Sequence, residues 1–208
     1  MSRFSELSYS GAEIFLAPLP ERDIGEALFP KERQNEIIAK RSPLARRESY
    51  FAWRLLEYAV MQTFGEELHA VGLEKKEGRW SARDFDISIS HGGGALAVAL
   101  SKSPVGIDLE PLEGDSDGEG VARRFFNDEE LSLYLSSPED ARRESFLRIW
   151  TAKEAIFKAQ SRMSFLPKAT DSLSVRVHTE VARVADKYYV LSVAVDGEIK
   201  LHRDTALQ

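Results

Sequence analysis

The sequence contains no cysteine, which excludes a disulfide framework, thiolate zinc sites and thiol catalysis. It also lacks an excess of bases: 28 lysines and arginines stand against 34 acids, for a formal net charge of −6. An acidic chain of this kind is a poor candidate for a general nucleic-acid binder. No apolar run approaches the roughly 18 residues of a membrane helix, and residues 1–10 lack the apolar core of a signal peptide. We therefore expect a cytoplasmic protein without a nucleic-acid or membrane partner.

What the chain does contain suits a globular protein of one domain or two small ones: 208 residues, 43% of them hydrophobic and 30% charged. The hydrophobic spacing predicts a strand, two helices and further strands in residues 1–103, and the same order again in residues 104–208. This layout favours an α+β fold made of two similar halves. The predicted helices are 31–40, 43–64, 121–136 and 139–160, and the predicted strands are 13–16, 84–90, 95–101, 105–110, 172–177 and 188–195.

The predicted strand 105–110 carries two acidic side chains on one face. Because side chains alternate along a strand, Asp108 and Glu110 project together while their neighbours enter the core, and Gly106 is expected to leave open space beside them. Two such carboxylates repel each other unless a cation lies between them, and hard oxygen ligands suit Mg²⁺. The alternative is a solvated acidic edge strand that leads into the acidic, glycine-rich loop 114–120.

The helix 139–160 carries a second candidate group. Trp150, Glu154 and Lys158 follow one another at four-residue spacing and therefore lie on one helix face. The alternative is an exposed Glu–Lys pair, which contributes only a few tenths of a kcal/mol.

Two further features could contact an anionic ligand. His91 lies at a strand end against three consecutive glycines, where a ring nitrogen and the backbone can both reach a ligand. The segment 31–47 carries six bases against two acids. These bases either form a solvated helical face or collect phosphate groups, which guanidinium groups bind through two hydrogen bonds.

Taken in order, these segments resemble one family, the Sfp-type 4′-phosphopantetheinyl transferases. The family signature joins a Ser-His strand end, a G-I-D-x-E strand and a W-x-x-K-E-x-x-x-K helix. The matching segments are ISHGGG (89–94), VGIDLE (105–110), RFF (124–126), FLRIWTAKEAIFKA (146–159) and FLPKATDSLSV (165–175). The resemblance extends from about residue 31 to residue 177, most of the chain.

The resemblance implies a fold, a reaction and partners. The family fold is a pseudo-dimer of two similar α+β halves, here 1–103 and 104–208, with the metal site carried by the second half. In the cleft between the halves, phosphopantetheine moves from coenzyme A to a serine of an apo acyl- or peptidyl-carrier protein, and adenosine 3′,5′-bisphosphate is released. Because one chain supplies both halves, we expect a monomer.

The resemblance also assigns roles to residues. It implies that Asp108, Glu110 and Glu154 bind Mg²⁺. It makes Glu154 the base and Lys158 the group that stabilises charge on the transferred phosphate. The residues it places against coenzyme A are Arg47, Arg79, Ser90, His91 and Asp108.

The chain departs from the family pattern at Gly92, which follows the Ser-His pair where serine is common, and in two further places. It has Gly78-Arg79-Trp80 where many members have Gly-Lys-Pro, and Ser161-Arg162-Met163 follows Gln160 where Gly-x-Gly is common. These departures leave open a non-catalytic scaffold that binds coenzyme A or carrier proteins. Another Mg²⁺-dependent enzyme acting on a pyrophosphate would explain the carboxylates but not the WTAKEAIFKA helix together with ISH.

Overall fold

The computed structural model describes residues 11–26, 29–114, 118–160, 166–173, 176–203 and 207. The helices are α1 (Lys31–Ala39), α2 (Pro43–Phe64), α3 (Glu119–Phe125), α4 (Asp128–Ser136) and α5 (Arg142–Gln160). The strands are β1 (Gly11–Pro18), β2 (Glu74–Lys76), β3 (Arg79–Ser81), β4 (Asp86–Gly92), β5 (Ala95–Ser101), β6 (Gly106–Pro111), β7 (Val177–Val184), β8 (Lys187–Ala194) and β9 (Glu198–His202). Within the described ranges, no helix combines the length and the apolar character needed to cross a bilayer.

The strands form two sheets that repeat one layout. The first has the order β2-β3-β4-β5-β1-β9 and the second the order β6-β8-β7. In each sheet the first strand of the half (β1 or β6) pairs with the last strand of an antiparallel hairpin (β4-β5 or β7-β8), and one long helix packs against the strands. The α+β class is therefore confirmed, and the strand order shows the repeat.

The division at residue 104 stays a prediction. The second sheet begins there with β6, but β9 lies in the first sheet, where it runs parallel to β1. His202 of β9 also stacks on Phe15 of β1, with ring centroids 4.4 Å apart. The last strand of the chain thus completes the sheet that the first strand begins.

Local sequence signals explain the long helix of the first half. Ser42 accepts a hydrogen bond from the Ala45 amide as N-cap, Pro43 occupies the first turn, and Gly65 ends the helix at φ 72°. The buried face of α2 packs on β4 and β5, and it contributes the fully buried Trp53 to the core of this half. The helix predicted for 43–64 is confirmed.

Two predicted segments are wrong in detail. The helix predicted for 121–136 is broken into α3 and α4, because Asn127 caps α4 in a reciprocal capping box with Glu130. The strand predicted for 172–177 is absent at 172–173, which form a turn, and 174–175 lie outside the described residues; the strand begins at Val177. Residues 115–117 of the acidic loop and 161–163 after α5 also lie outside the described residues.

The contact between the halves depends on side chains of β4. Alternate residues of this strand accept hydrogen bonds from alternate backbone N–H groups on or just before β6, each pair 19 residues apart in the chain. The three bonds run from Val105 N to Asp86 Oδ2 (2.8 Å), from Ile107 N to Ser88 Oγ (3.0 Å) and from Leu109 N to Ser90 Oγ (3.2 Å). This side-chain ladder aligns β4 with β6 and fixes which residues meet across the cleft.

Candidate active site

The close approach of β6 to α5 brings the acidic strand and the Glu–Lys helix together. A Cβ on Gly106 would lie 1.8 Å from the backbone oxygen of Ala155. The expectation that Gly106 leaves open space beside the carboxylates is therefore wrong, because α5 occupies that space. Glycine is required there so that the helix can lie directly against the strand.

Asp108 is the most buried carboxylate of the group, with 5% of its surface exposed. Its Oδ1 accepts hydrogen bonds from Lys158 Nζ at 2.7 Å and from Ser90 Oγ at 2.9 Å. Its Oδ2 is buried and has no hydrogen-bond partner among the residues that the structure describes. An unpartnered carboxylate oxygen in the interior is costly unless a ligand or a cation satisfies it.

Glu110 and Glu154 stand close enough to Asp108 to feel its charge. Burial, followed by repulsion from Asp108, raises the pKa of Glu110 to about 7, with Glu154 contributing further repulsion. Burial and the Asp108 charge likewise raise the pKa of Glu154, against the attraction of Lys158. Glu110 and Glu154 are thus each destabilised as anions by burial and by the charge of Asp108.

These groups fit a hard divalent cation. The ammonium group of Lys158 contacts Asp108 and attracts the charges of Glu110 and Glu154, and Arg143 also attracts the charge of Glu110. Among the described residues, no three His, Asp or Glu side chains already converge as a metal-binding group. A cation would draw the carboxylates together, satisfy Asp108 Oδ2 and remove the repulsion.

Lys158 extends from the last turn of α5 to β6. Its Nζ donates to the backbone oxygen of Ile107 at 2.9 Å as well as to Asp108. Trp150 does not share this environment: it stacks on Phe146 in the aromatic cluster beside α3, with ring centroids 6.1 Å apart. α5 is continuous through Trp150, Glu154 and Lys158, so their four-residue spacing on the helix is kept, but Trp150 packs with aromatic residues and not with the acidic group.

A cavity of about 720 Å³ opens between the halves beside Lys158. Its wall includes five basic side chains and two acidic ones, together with aromatic rings. The basic residues are Arg33, Lys40, Lys76, Arg79 and Lys158; the acids are Glu36 and Glu77; and the aromatic rings are Trp80 and Phe157. Part of the basic segment 31–47 thus faces a cavity whose size and charge suit a polyanionic ligand.

Ser90 and His91 are adjacent on β4 but face different surroundings. The Ser90 hydroxyl is buried and is used twice, as donor to Asp108 and as acceptor from the Leu109 amide. His91 lines the cavity, with its Nδ1 buried and 3.7 Å from Oε2 of Glu48. The structure therefore places Ser90 behind the acidic group and His91 in the cavity wall.

The two arginines predicted to contact coenzyme A are engaged with the protein. The Arg79 guanidinium donates to the backbone oxygens of Val105 (2.6 Å) and Lys158, and it pairs with Asp86. Burial lowers the pKa of Arg79. Arg47 donates to the backbone oxygen of Pro20 at 2.5 Å, its Nε is buried without a partner, and it is not among the residues that line the cavity. Ligand contacts by these arginines stay predictions.

Sequence reasoning missed two buried charged residues near the site. Lys153 is fully buried beside Glu154, and its Nζ bonds Glu130 Oε2 at 2.6 Å and the Pro167 backbone oxygen at 2.6 Å. The burial of Lys153 could have been predicted, because this residue lies four residues after Ile149 and three before Ile156, on the apolar face of the helix. Glu48 is likewise buried on α2, directly before the buried Ser49 and Tyr50.

Comparisons with known proteins find a family model that is similar to the part of the chain containing the acidic strand and α5. Residues 104–190 match the model of the 4′-phosphopantetheinyl transferase superfamily. The chain is 32% identical over 119 residues to the 4′-phosphopantetheinyl transferase ffp of Bacillus subtilis, covering 52% of this chain and 51% of that protein. It is 34% identical over 97 residues to the transferase Sfp of Bacillus subtilis strain 168, covering 47% and 42%. It is 41% identical over 75 residues to the transferase HetI of Nostoc sp., covering 36% and 31%.

These matches confirm the resemblance to Sfp-type transferases that the motifs indicated. The chain spans about half the length, or less, of these curated relatives. The range that matches the family model, residues 104–190, includes the acidic strand and α5, which hold the candidate site.

Proposed function

We propose that this chain is a 4′-phosphopantetheinyl transferase of the Sfp type. It transfers phosphopantetheine from coenzyme A to a serine hydroxyl of an apo carrier protein. The observation that carries the proposal is the buried Oδ2 of Asp108, which has no partner among the described residues, while Lys158 and Ser90 bond its Oδ1 and Lys158 also lines a basic cavity. An ordinary surface ion pair would leave no such oxygen in the interior.

In the proposed reaction the carrier serine oxygen forms a bond to the phosphorus that bears the pantetheine arm. The bond from that phosphorus to the bridging oxygen breaks, and adenosine 3′,5′-bisphosphate leaves. The serine proton passes to Glu154, whose raised pKa makes it a better proton acceptor than an ordinary carboxylate. Because the partner supplies the nucleophile, the chain needs none of its own and acts by positioning and charge stabilisation.

Asp108, Glu110 and Glu154 would hold Mg²⁺, which supplies positive charge to the pyrophosphate oxygens. Ser90 and Lys158 keep Asp108 oriented through their bonds to its Oδ1 and leave Oδ2 available. Lys158 also lines the cavity, so its ammonium group lies between the carboxylates and the ligand space. This place suits a group that stabilises charge on the transferred phosphate.

The cavity between the halves is the proposed site for coenzyme A. Its basic side chains suit the phosphates, and its aromatic rings, Trp80 and Phe157, offer flat apolar surface to a base. His91 contributes a ring edge to the same wall.

The proposal extends to the partner protein and to the oligomeric state. The carrier is expected to be acidic around its serine, and Leu133, with 48% of its surface exposed on α4, is one apolar residue that it could contact. Both walls of the cavity come from one chain, which supports action as a monomer. A cytoplasmic location and the lack of nucleic-acid and membrane partners stay predictions from the sequence.

The test is the intact mass of an apo carrier protein after incubation with this protein, coenzyme A and Mg²⁺. We expect a gain of one phosphopantetheine that EDTA abolishes. Glu154→Gln should lower the rate by roughly 10²–10⁴-fold, because it removes the proton acceptor. The matched control is Glu144→Gln on the same helix, where the glutamate pairs only with exposed Arg148 and the rate should stay unchanged.

The alternative, a non-catalytic scaffold, has some support from Arg79. The guanidinium of this residue, which replaces the family lysine, is engaged with backbone oxygens and Asp86. A scaffold would bind coenzyme A and carriers without any gain in carrier mass. That outcome, found with several carrier types, would overturn the transferase proposal.

A further inference from the structure

Glu48 is a buried carboxylate for which the proposed reaction gives no role. It lies on α2 with 7% of its surface exposed. Its Oε1 accepts a hydrogen bond from the Gly94 amide at 3.2 Å, at the turn between β4 and β5. Its Oε2 lies 3.7 Å from His91 Nδ1. One carboxylate thus contacts both the hairpin turn and the histidine of the cavity wall.

The hairpin turn is also held from the other half of the molecule. Tyr189 of β8 donates its hydroxyl to the Gly93 backbone oxygen at 2.7 Å. Glu48 and Tyr189 therefore fix the two adjacent glycines from opposite halves. Because the turn is held on both sides, the backbone of His91, two residues earlier, has little freedom, and the orientation of its ring depends on its own contacts.

The burial of the His91 ring is asymmetric. Nδ1 is buried and has no hydrogen-bond partner within normal distance, while the residue still lines the cavity. Because Nδ1 is buried, Nε2 is the ring nitrogen left for a ligand in the cavity. A carboxylate beside Nδ1 favours a proton on that nitrogen and fixes the ring orientation.

We propose that Glu48 is a positioning residue that orients His91, so that the Nε2 edge faces an anionic group bound in the cavity. The identity of that anion as a phosphate of coenzyme A rests on the proposed function. The electrostatics support the pairing, since His91 is the main cause that lowers the pKa of Glu48.

The charge of Glu48 is not needed for its other contact. A glutamine could accept the Gly94 N–H equally well through its amide oxygen. Glu48→Gln therefore keeps the cap on the hairpin turn and removes only the negative charge beside Nδ1. This substitution separates the two roles of the side chain.

The first experiment is NMR of the ¹⁵N-labelled histidine rings in the unliganded protein. His91→Ala assigns the His91 signals. We expect Glu48→Gln to change the His91 Nδ1 and Nε2 shifts through a change in tautomer or protonation. Glu57→Gln is the matched control, because Glu57 lies on the same helix but pairs with Arg54 away from the cavity. It should leave the His91 signals in place.

The second experiment measures the Kd of coenzyme A by calorimetry in a double-mutant cycle. Glu48→Gln should raise Kd about tenfold when His91 is present and less than twofold in the His91→Ala background. The conservative His91→Gln variant, which offers one amide donor, should recover part of the affinity lost in His91→Ala.

Either of two results would overturn the role of Glu48: unchanged His91 shifts in Glu48→Gln, or equal losses of affinity with and without His91. A wild-type protein that binds no coenzyme A would instead overturn the proposed function. In that case the NMR comparison would still decide whether Glu48 orients His91.

Discussion

Lys153 and Glu154 are neighbours on α5 with opposite surroundings. Lys153 is fully buried, and its ammonium group bonds Glu130 and the backbone oxygens of Pro167 and Thr170. Glu130 in turn accepts from the Ser172 amide and hydroxyl at 2.9 and 2.6 Å. Glu154 is half-buried beside Asp108, and its pKa is raised.

The difference lies in charge balance. The pair of Lys153 and Glu130 is closed, since one positive and one negative group satisfy each other and the remaining donors meet protein atoms. In the group of Asp108, Glu110 and Glu154, Lys158 contacts Asp108, and one buried oxygen of Asp108 has no hydrogen-bond partner within the described part of the chain. A closed cluster suits a structural role, whereas an open one is prepared for an added cation.

The largest effect is expected where the closed cluster is broken. Lys153→Met leaves the Glu130 charge buried without its partner, which costs about 3–5 kcal/mol of folding free energy. We expect the Tm to fall by roughly 10 °C in calorimetry. Glu154→Gln should change the Tm by only about 2 °C.

The double variant Lys153→Met with Glu130→Met removes both charges together and should recover part of the loss. A Tm of Lys153→Met within 2 °C of the unsubstituted protein would contradict the structural role of this pair.

A smaller change in stability is expected when Mg²⁺ binds the group of Asp108, Glu110 and Glu154. Mg²⁺ at about 100 times its Kd should stabilise the protein by about 2.7 kcal/mol, which raises the Tm by roughly 5 °C or more. Asp108→Asn should remove this response, and Glu144→Gln should retain it. An equal Mg²⁺ response in Asp108→Asn would show that the cation binds elsewhere.

The smallest effect concerns the pH dependence of stability without metal. The folded-state pKa of Glu110 is about 7 against an ordinary value of 4.5. The ionised form is therefore penalised in the folded state, and this penalty begins above pH 4.5 and is complete above pH 7.

Glu110→Gln removes that penalty. The variant should exceed the unsubstituted protein by about 1 kcal/mol at pH 8, a figure discounted because the side chain is partly exposed. This corresponds to a Tm about 3 °C higher, and the difference should vanish near pH 4.5. With Mg²⁺ present, the unsubstituted protein should be more stable than Glu110→Gln. If Glu110→Gln and the unsubstituted protein had equal stability across the whole pH range, the proposed penalty on the ionised Glu110 would be contradicted.

The sequence predicted the two long helices and the acidic strand well because the signals for these elements are local. The Ser42-Pro43 start and the Gly65 end fix α2 without reference to the rest of the chain. The signal for the helix break at Asn127 was also local, because the capping box with Glu130 can be identified in the sequence, although the predicted helix ran across it. The short strands β2 and β3 lacked any pattern long enough to show periodicity.

The hydrogen bonds between the elements that form the site could not be predicted from the sequence. Alternation on β4 gave Ser88 and Ser90 one face but could not show that their hydroxyls accept from β6. Nor could it show that Arg79 joins Val105 to the end of α5. Such contacts depend on the packing of the two halves, which no single segment encodes.

The pairing of β9 with β1 bears on how the molecule is made. β1 begins at Gly11, whereas its parallel partner begins at Glu198, so this edge of β1 stays unpaired during synthesis until residues 198–202 have left the ribosome. A parallel pair so distant in sequence also forms slowly. The sheet whose strands are translated first is therefore completed only after the strands of the second sheet have been made.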